Sequence, residues 1–118
     1  MKNPAQVILS PEAEKQYRNL IKLASSYKKE RMILDALNKK IELIKENPTY
    51  GNPIAKKLIP KEYKKRYAVT NLFRVKLPDF WRMLYTLVDG ENRIEIISFV
   101  LDIVNHKKYN KKFGYKKK

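Results

Sequence analysis

The residues from Ile94 to Val104 form an almost continuously apolar run, which constrains the fold more than any other feature of the chain. A strand of this composition has to lie centrally in a sheet or be covered on both faces. Two stretches with period-two alternation precede it, at 66–77 and at 81–87, and Asp89-Gly90 before the run is a hairpin signal. The second half of the chain therefore predicts a small antiparallel sheet.

The first half of the chain has the period of helices instead. Ser10-Pro11 predicts an N-cap followed by a proline at the first helical position, and apolar side chains recur at helical spacing over 13–24 and over 33–44. The second helix should end at Asn47-Pro48, because the residue before a proline disfavours helical backbone. The short link between the two helices predicts an antiparallel hairpin. The remaining short elements are a first strand and a terminal turn or helix, Gln6–Leu9 and His106–Phe113.

Together these elements predict an α+β fold with two layers in the order β-α-α-β-β-β. The helical hairpin packs on the small antiparallel sheet. We expect one domain over residues 1–118, in which residues 111–118 form a basic tail.

The net charge of +15 is unevenly distributed. Residues 51–82 carry nine Lys/Arg against two acids, residues 105–118 carry seven lysines and no acid, and each segment therefore has a net charge of +7. Such clustering is typical of a surface that binds a polyanion, most often phosphate. The alternative is solvated charge on a lysine-rich chain.

Several classes of protein are excluded by composition. The chain has no cysteine, which excludes disulfide frameworks, thiolate metal sites and thiol nucleophiles. Because no His/Asp/Glu cluster occurs at ligand spacing, we expect no metal and no other cofactor. No apolar stretch is long enough to span a bilayer and Met1–Gln6 is no signal peptide, so we expect a cytoplasmic protein that does not bind membranes.

The segment from Leu72 to Thr86 combines a basic-apolar-basic strand, a turn and an aromatic-Arg-apolar-apolar-Tyr strand. With Asn47-Pro48 upstream and His106-Lys107-Lys108-Tyr109 downstream, it resembles the RelE/ParE toxin superfamily of toxin–antitoxin modules over almost the whole chain. The resemblance implies a helical hairpin on a small antiparallel sheet. RelE-like members are metal-independent endoribonucleases that cut mRNA, typically in the ribosomal A site. ParE-like members share the fold, poison DNA gyrase and generally lack the nuclease residues.

Carried over position by position, the resemblance implies a catalytic set. Its members are the basic strand pair, the arginine of the next strand and three residues after the apolar strand: Arg74, Lys76, Arg82, His106, Lys107 and Tyr109. The family tyrosine matches either Tyr109 or Phe113. His106 is the only histidine, and its unperturbed pKa of about 6.5 suits it to act as a general acid or base.

Each of these residues also has a structural interpretation. The two strand cations of 74 and 76 fit a solvated strand face, and Arg82 fits stacking on Trp81 or a structural ion pair. A lone histidine is more often structural than catalytic. Trp81 and Tyr85 are candidates for stacking an RNA base, although Trp81 fits the core equally well.

The other basic residues are predicted to bind RNA phosphates and to contribute salt-dependent affinity without base choice. They are Lys56, Lys57, Lys64, Lys65, Arg66, Lys108, Lys111 and Lys112. The leading hypothesis is a RelE-type endoribonuclease, an mRNA interferase that inhibits translation on the ribosome until a small acidic antitoxin binds it. The alternatives are a ParE-like toxin that inhibits gyrase without nuclease activity and a catalytically inactive RNA-binding module.

Overall fold

The computed structural model describes residues 6–89 and 96–114. Its helices are α1 to α4, in chain order Pro11–Ala24, Lys28–Glu46, Lys61–Tyr67 and His106–Lys112. Its strands are β1 to β5, in chain order Gln6–Leu9, Asn52–Pro53, Phe73–Lys76, Arg82–Asp89 and Ile96–Val104. Two 3-10 turns occupy Lys56–Leu58 and Pro78–Phe80. None of the helices in the described ranges is both long and apolar enough to cross a membrane.

The strands form a five-stranded sheet in the order β1-β5-β4-β3-β2. The predicted α+β fold is confirmed, and β5 lies inside the sheet between β1 and β4, as its apolar composition requires. The sheet is mixed, however, because β1 pairs with β5 in parallel while the other pairs are antiparallel. The predicted antiparallel pairing holds for β2, β3, β4 and β5, and only the direction of β1 differs, since a four-residue strand carries no information about its direction relative to a distant partner.

The predicted helical hairpin is confirmed. Ser10 caps α1 by accepting a hydrogen bond from the Ala13 amide at 3.0 Å, and its hydroxyl donates to the Leu101 carbonyl of β5 at 2.8 Å. The cap therefore also fixes the start of α1 to the sheet. The second helix ends at Glu46, immediately before Asn47-Pro48.

Each face of the sheet has its own apolar cluster. The hairpin cluster lies between α1, α2 and one face, and includes the fully buried Ile33, Leu37, Ile44, Met83 and Tyr85. The outer cluster lies on the opposite face under α3 and α4, and includes Ile59, Tyr63, Leu72, Leu84, Leu101, Val104 and Tyr109. A bulge in β5 allows this arrangement: Leu84 pairs with Asp102 and Tyr85 with Val100, so Leu101 is an extra residue.

The strand predicted from Arg66 is wrong in its first part. Residues up to Tyr67 belong to α3, which ends at Ala68 with a left-handed backbone (φ 51°), and β3 begins only at Phe73. Val69 packs in the outer cluster, on the other side of the sheet from Phe73. The tyrosines at 63 and 67 are one helical turn apart, and this spacing competes with the period-two pattern over the same residues.

Two other predictions concern residues at the limits of the described ranges. The antiparallel pairing of β4 with β5 agrees with the predicted hairpin, although Gly90 of its turn and Ile94 lie outside the described residues. Within the predicted tail, Lys111 and Lys112 belong to α4, and residues 115–118 lie outside the described part of the chain.

Candidate active site

Three basic residues lie next to each other on the outer face of the sheet. In the β3–β4 register, Arg74 lies opposite Leu84 and Lys76 opposite Arg82. Leu84 belongs to the outer cluster, and alternate residues of a strand share a face, so all three cations project from the face opposite the helical hairpin. Directly opposed residues have Cβ atoms about 5 Å apart and diagonal neighbours about 7–8 Å apart, which makes these residues a cluster.

Helix α4 adds a tyrosine to this cluster. The Arg74 Nη1 donates a hydrogen bond to the Tyr109 hydroxyl at 3.2 Å, and the Arg82 guanidinium carbon lies 5.7 Å from the centroid of the Tyr109 ring. The Tyr109 side chain is 5% exposed, so its position is set by the outer cluster. Tyr109 therefore holds the two arginines in a defined relation to each other, and we call the set Arg74, Lys76, Arg82 and Tyr109 the cationic cluster.

The cationic cluster has more positive charge than the surrounding residues neutralise. Among the described residues, none of the ion pairs includes Arg74, Lys76 or Arg82. The Nε atoms of Arg74 and Arg82 are both buried with no hydrogen-bond partner in the described structure. Like charges on opposed strand positions repel each other, and a buried donor without a partner is unfavourable. A bound anion with several acceptor oxygens, such as phosphate, offsets the repulsion between these cations.

His106 lies at the start of α4, two residues after the strand residue Val104 that pairs with Arg82. Its ring is 5.5 Å from the Phe80 ring between centroids, at an interplanar angle of 53°. Its Nε2 lies 3.1 Å from the side-chain amide nitrogen of Asn110. In the tautomer whose Nε2 is unprotonated, the Asn110 amide donates a hydrogen bond to it. His106 and Lys107 are both exposed.

The turn between β3 and β4 has an uncommon backbone. Asp79 and Phe80 both have positive φ, of 58° and 60°, although neither is glycine. The turn is held by hydrogen bonds from Trp81 N to Pro78 O at 3.3 Å and from Leu77 N to Trp81 O at 2.9 Å. An ion pair at 2.7 Å between Asp79 and Lys29 ties it to the start of α2. The turn therefore presents Phe80 beside His106 at the same end of the sheet as Lys76 and Arg82.

The residues predicted to bind RNA phosphates fall into two groups. Six are exposed lysines without an ion pair among the described residues: Lys56, Lys57, Lys64, Lys65, Lys108 and Lys111. The other two, Arg66 and Lys112, pair with acidic side chains. Arg66 pairs with Glu12, and the hydrogen bond that Glu12 accepts from Tyr67, together with this pair, lowers the pKa of the Glu12 carboxyl.

Lys112 belongs to a buried polar network around Asp102. Asp102 is 6% exposed and accepts hydrogen bonds from the Tyr63 hydroxyl at 2.6 Å and from the Gln16 amide at 3.2 Å. Burial and the Asp102 charge raise the pKa of Tyr63 far above its ordinary value. Burial disfavours the charged form of Lys112, but its contacts with Glu62 and Asp102 outweigh burial and raise its pKa. This network joins α1, α3 and α4 to β5, so Lys112 has a structural role.

The sequence did not single out Phe80 as a site residue, although the signal was present in a bulky aromatic between Pro78-Asp79 and the arginine strand. Of the two residues considered for base stacking, Tyr85 is fully buried in the hairpin cluster and has no face for a base. Trp81 packs against the same cluster. Phe113 packs on the Tyr109 ring at 4.6 Å between centroids, and Tyr109 contacts both arginines.

The described residues contain no group of three His, Asp or Glu side chains positioned to hold a metal ion. The donors and acids that the site offers are guanidinium, ammonium, phenol and imidazole groups. Such a set suits the stabilisation of a phosphate anion and the transfer of protons.

Comparison with known proteins gives one family and one similar structure. The model of the family described as ParE toxin of type II toxin–antitoxin system, parDE, matches residues 7–102. The fold is similar to that of the YoeB dimer from Staphylococcus aureus, with a TM-score of 0.52, 16% sequence identity, and coverage of 88% of this chain and 99% of that chain. At this identity the likeness concerns the fold. No curated protein matches the sequence.

Proposed function

This chain belongs to the ParE toxin family of type II toxin–antitoxin systems, within the RelE/ParE superfamily, and we propose that it is a RelE-type endoribonuclease that cleaves mRNA without a metal ion. The observation that carries this proposal is the cationic cluster. Two arginines with buried Nε donors and one lysine lie together without a neutralising acid in the described structure. Such a concentrated set of cations favours a toxin that acts on a phosphate group.

The reaction that suits these groups is an internal transfer at phosphorus. The 2′-oxygen attacks the adjacent phosphorus, the bond from phosphorus to the 5′-oxygen breaks, and the products carry a 2′,3′-cyclic phosphate and a 5′-hydroxyl. A base takes the 2′-hydroxyl proton and an acid protonates the departing 5′-oxygen. The guanidinium groups of Arg74 and Arg82 stabilise the negative charge that develops on the phosphorane oxygens.

Proton transfer falls to the groups around the two arginines. His106 is exposed, and its unprotonated ring nitrogen can accept a proton once a substrate displaces the Asn110 side-chain amide, so we assign it the role of general base. Lys76 lies opposite Arg82 and Lys107 follows His106, and either ammonium group can protonate the leaving oxygen. Tyr109 positions Arg74 through its hydroxyl and Arg82 through its ring.

The exposed lysines extend the phosphate-binding surface beyond the cleaved bond. We propose that Lys56, Lys57, Lys64, Lys65, Lys108 and Lys111 contact mRNA or ribosomal RNA on translating ribosomes in the cytoplasm. A toxin of this family has an antitoxin partner, and the basic outer face predicts that this partner is small and acidic.

Cleavage on ribosomes tests the proposal. Translating ribosomes are incubated with the protein in the presence of EDTA, and RNA ends are mapped by primer extension. We expect cuts in phase with codons from the wild type, and a loss of at least about 100-fold from Arg82→Ala, since removing one donor that stabilises the transition state has effects of about this size. Lys39→Ala is the matched control, because it removes one positive charge from an exposed position of α2 and should cut like the wild type.

The same assay separates the alternatives. Absence of cuts, or equal cuts from Arg82→Ala, contradicts the nuclease proposal. The matching family is named for ParE toxins, which favours inhibition of DNA gyrase as the second candidate. Inhibition of gyrase supercoiling with intact mRNA supports that candidate, and salt-dependent RNA binding with neither effect supports an inactive RNA-binding module.

A further inference from the structure

Phe80 is held exposed in a conformation that its own packing does not explain. Its residue surface is 66% exposed, and it belongs to neither apolar cluster of the described structure. The backbone at Phe80 is left-handed, a state that disfavours a side chain with a Cβ atom. Strained backbone positions cluster at sites that bind ligands, so an exposed apolar ring on such a backbone indicates a ligand-binding role for the ring.

The surroundings of Phe80 indicate what that ligand is. The ring lies against His106, and two residues later Arg82 enters the cationic cluster. The centroid distance of 5.5 Å between the two rings is too short for a flat group to insert between them. A flat group that binds here therefore has to stack on the part of the Phe80 ring that His106 does not cover.

We propose that Phe80, supported by His106, forms a stacking site for one unpaired nucleobase of the RNA strand whose phosphate lies in the cationic cluster. This inference rests on the proposed function. Aromatic rings bind bases of single-stranded nucleic acid by stacking, while neighbouring cations hold the backbone. Stacking at Phe80 fixes the nucleotide beside the scissile phosphate, so the ring acts as a positioning residue for the cleavage step.

The test compares two probes that share a backbone. The first is a 2′-O-methyl pentanucleotide of uridines, which cannot be cleaved, and the second is the same length of backbone with abasic residues. We expect the wild type to bind the uridine probe about 5- to 150-fold more tightly than the abasic probe, the range that corresponds to one stacked base. In Phe80→Leu and Phe80→Ala, the ratio of the affinities for the uridine and abasic probes should fall almost to one, while the affinity for the abasic probe stays unchanged. Phe80→Trp should retain the ratio of the wild type.

Tyr50→Ala is the matched control, since it removes an exposed ring whose side-chain contacts in the described structure are with Lys40 of α2. It should keep the preference of the wild type. Because leucine, tryptophan and alanine at position 80 all carry a Cβ atom in the same backbone, thermal unfolding by circular dichroism should give similar midpoints for the three variants.

Equal preference in the wild type and in Phe80→Leu overturns the stacking site, whatever the cleavage assay shows. A preference that depends on Phe80 in a protein that cuts no mRNA supports the stacking site and refutes the nuclease instead. The two proposals therefore fail separately.

Discussion

Replacing Arg82 with methionine should stabilise the protein while it removes phosphate binding. Methionine keeps the length of the unbranched stem, so the packing against the Tyr109 ring is largely preserved. The change removes the buried Nε donor that has no partner in the described structure, and it removes a positive charge opposite Lys76 and diagonal to Arg74. It also removes the hydrogen bond from Arg82 Nη1 to the Trp81 carbonyl at 3.0 Å and the cation–π contact with Tyr109.

The magnitudes of these contributions decide whether Arg82→Met is more or less stable than the wild type. A buried donor without a partner is unfavourable by about 1–3 kcal/mol. Removing the charge of Arg82 also ends its repulsion with Lys76 and Arg74. At a dielectric between those of water and a protein surface, this raises the free energy of unfolding by about 1 kcal/mol. Against this, the lost hydrogen bond contributes about 1 kcal/mol and the lost cation–π contact about 0.5–1 kcal/mol. We therefore expect the variant to be more stable than the wild type by about 1 kcal/mol.

Urea unfolding at two salt concentrations measures this difference, because urea carries no charge. The Debye length falls from about 30 Å at 0.01 M salt to about 3 Å at 1 M. The stabilisation by Arg82→Met should be largest at the lower concentration and smaller at the higher one. Arg18→Met is the control: Arg18 is a highly exposed arginine paired with Glu14, and its replacement should lower the stability by no more than about 0.5 kcal/mol. Loss of stability in Arg82→Met at low salt, or a gain that salt does not change, refutes the description of the cluster as an unneutralised phosphate site.

Two further predictions concern parts of the fold that support the site. A Cβ atom at Gly51 would lie 2.9 Å from the buried Tyr85 ring and 3.1 Å from the Arg74 carbonyl, so Gly51→Ala should lower the free energy of unfolding by about 1–3 kcal/mol and reduce cleavage by displacing Arg74. Lys39→Ala, at an exposed position of α2, is the control, and an equal or smaller loss at Gly51 than at Lys39 contradicts the prediction. Because the pKa of Tyr63 is raised in the folded protein, its contribution to stability is present below about pH 10, the ordinary tyrosine pKa, and decreases at higher pH as the unfolded tyrosine ionises. Urea unfolding between pH 9 and 11 should therefore show a smaller loss per pH unit for Tyr63→Phe than for the wild type, and identical slopes contradict the buried Asp102 contact.

Local patterns in the sequence predicted the elements whose formation depends on neighbouring residues of the chain. The helical hairpin follows from apolar spacing and from the Ser10 cap, and the position of β5 inside the sheet follows from its composition. The alternation of Arg74 and Lys76 predicts that both share a face, which the strand register bears out. Helix α3 was missed because its residues satisfy two periods at once, and the packing of Tyr63 under α4 decides between them.

The arrangement of the site depends on contacts between distant residues, which no local pattern records. Tyr109 reaches Arg74 across 35 positions of the sequence, and Lys112 reaches Asp102 through the fold of α4 over the outer face. Phe80 escaped prediction for a different reason. Its left-handed backbone disagrees with the propensity of phenylalanine, so the turn is held in place by its neighbours, including the Lys29–Asp79 ion pair.

Several unfavourable features of the described structure lie on the outer face of the sheet and in the turn between β3 and β4. Arg74 and Arg82 have buried donors without partners in the described structure, and Phe80 has an exposed ring on a strained backbone. The opposite face holds the hairpin cluster, whose central side chains are fully buried, and the buried Tyr85 hydroxyl donates a hydrogen bond to the Pro48 carbonyl and accepts one from the Gly51 amide. A core of that kind stabilises the sheet independently of the outer face, and so it allows the cationic cluster and the turn to remain unfavourable; on the proposed function, RNA binding relieves them. If this division is correct, variants that relieve the outer face gain stability and lose RNA binding together, whereas variants in the hairpin cluster lose both.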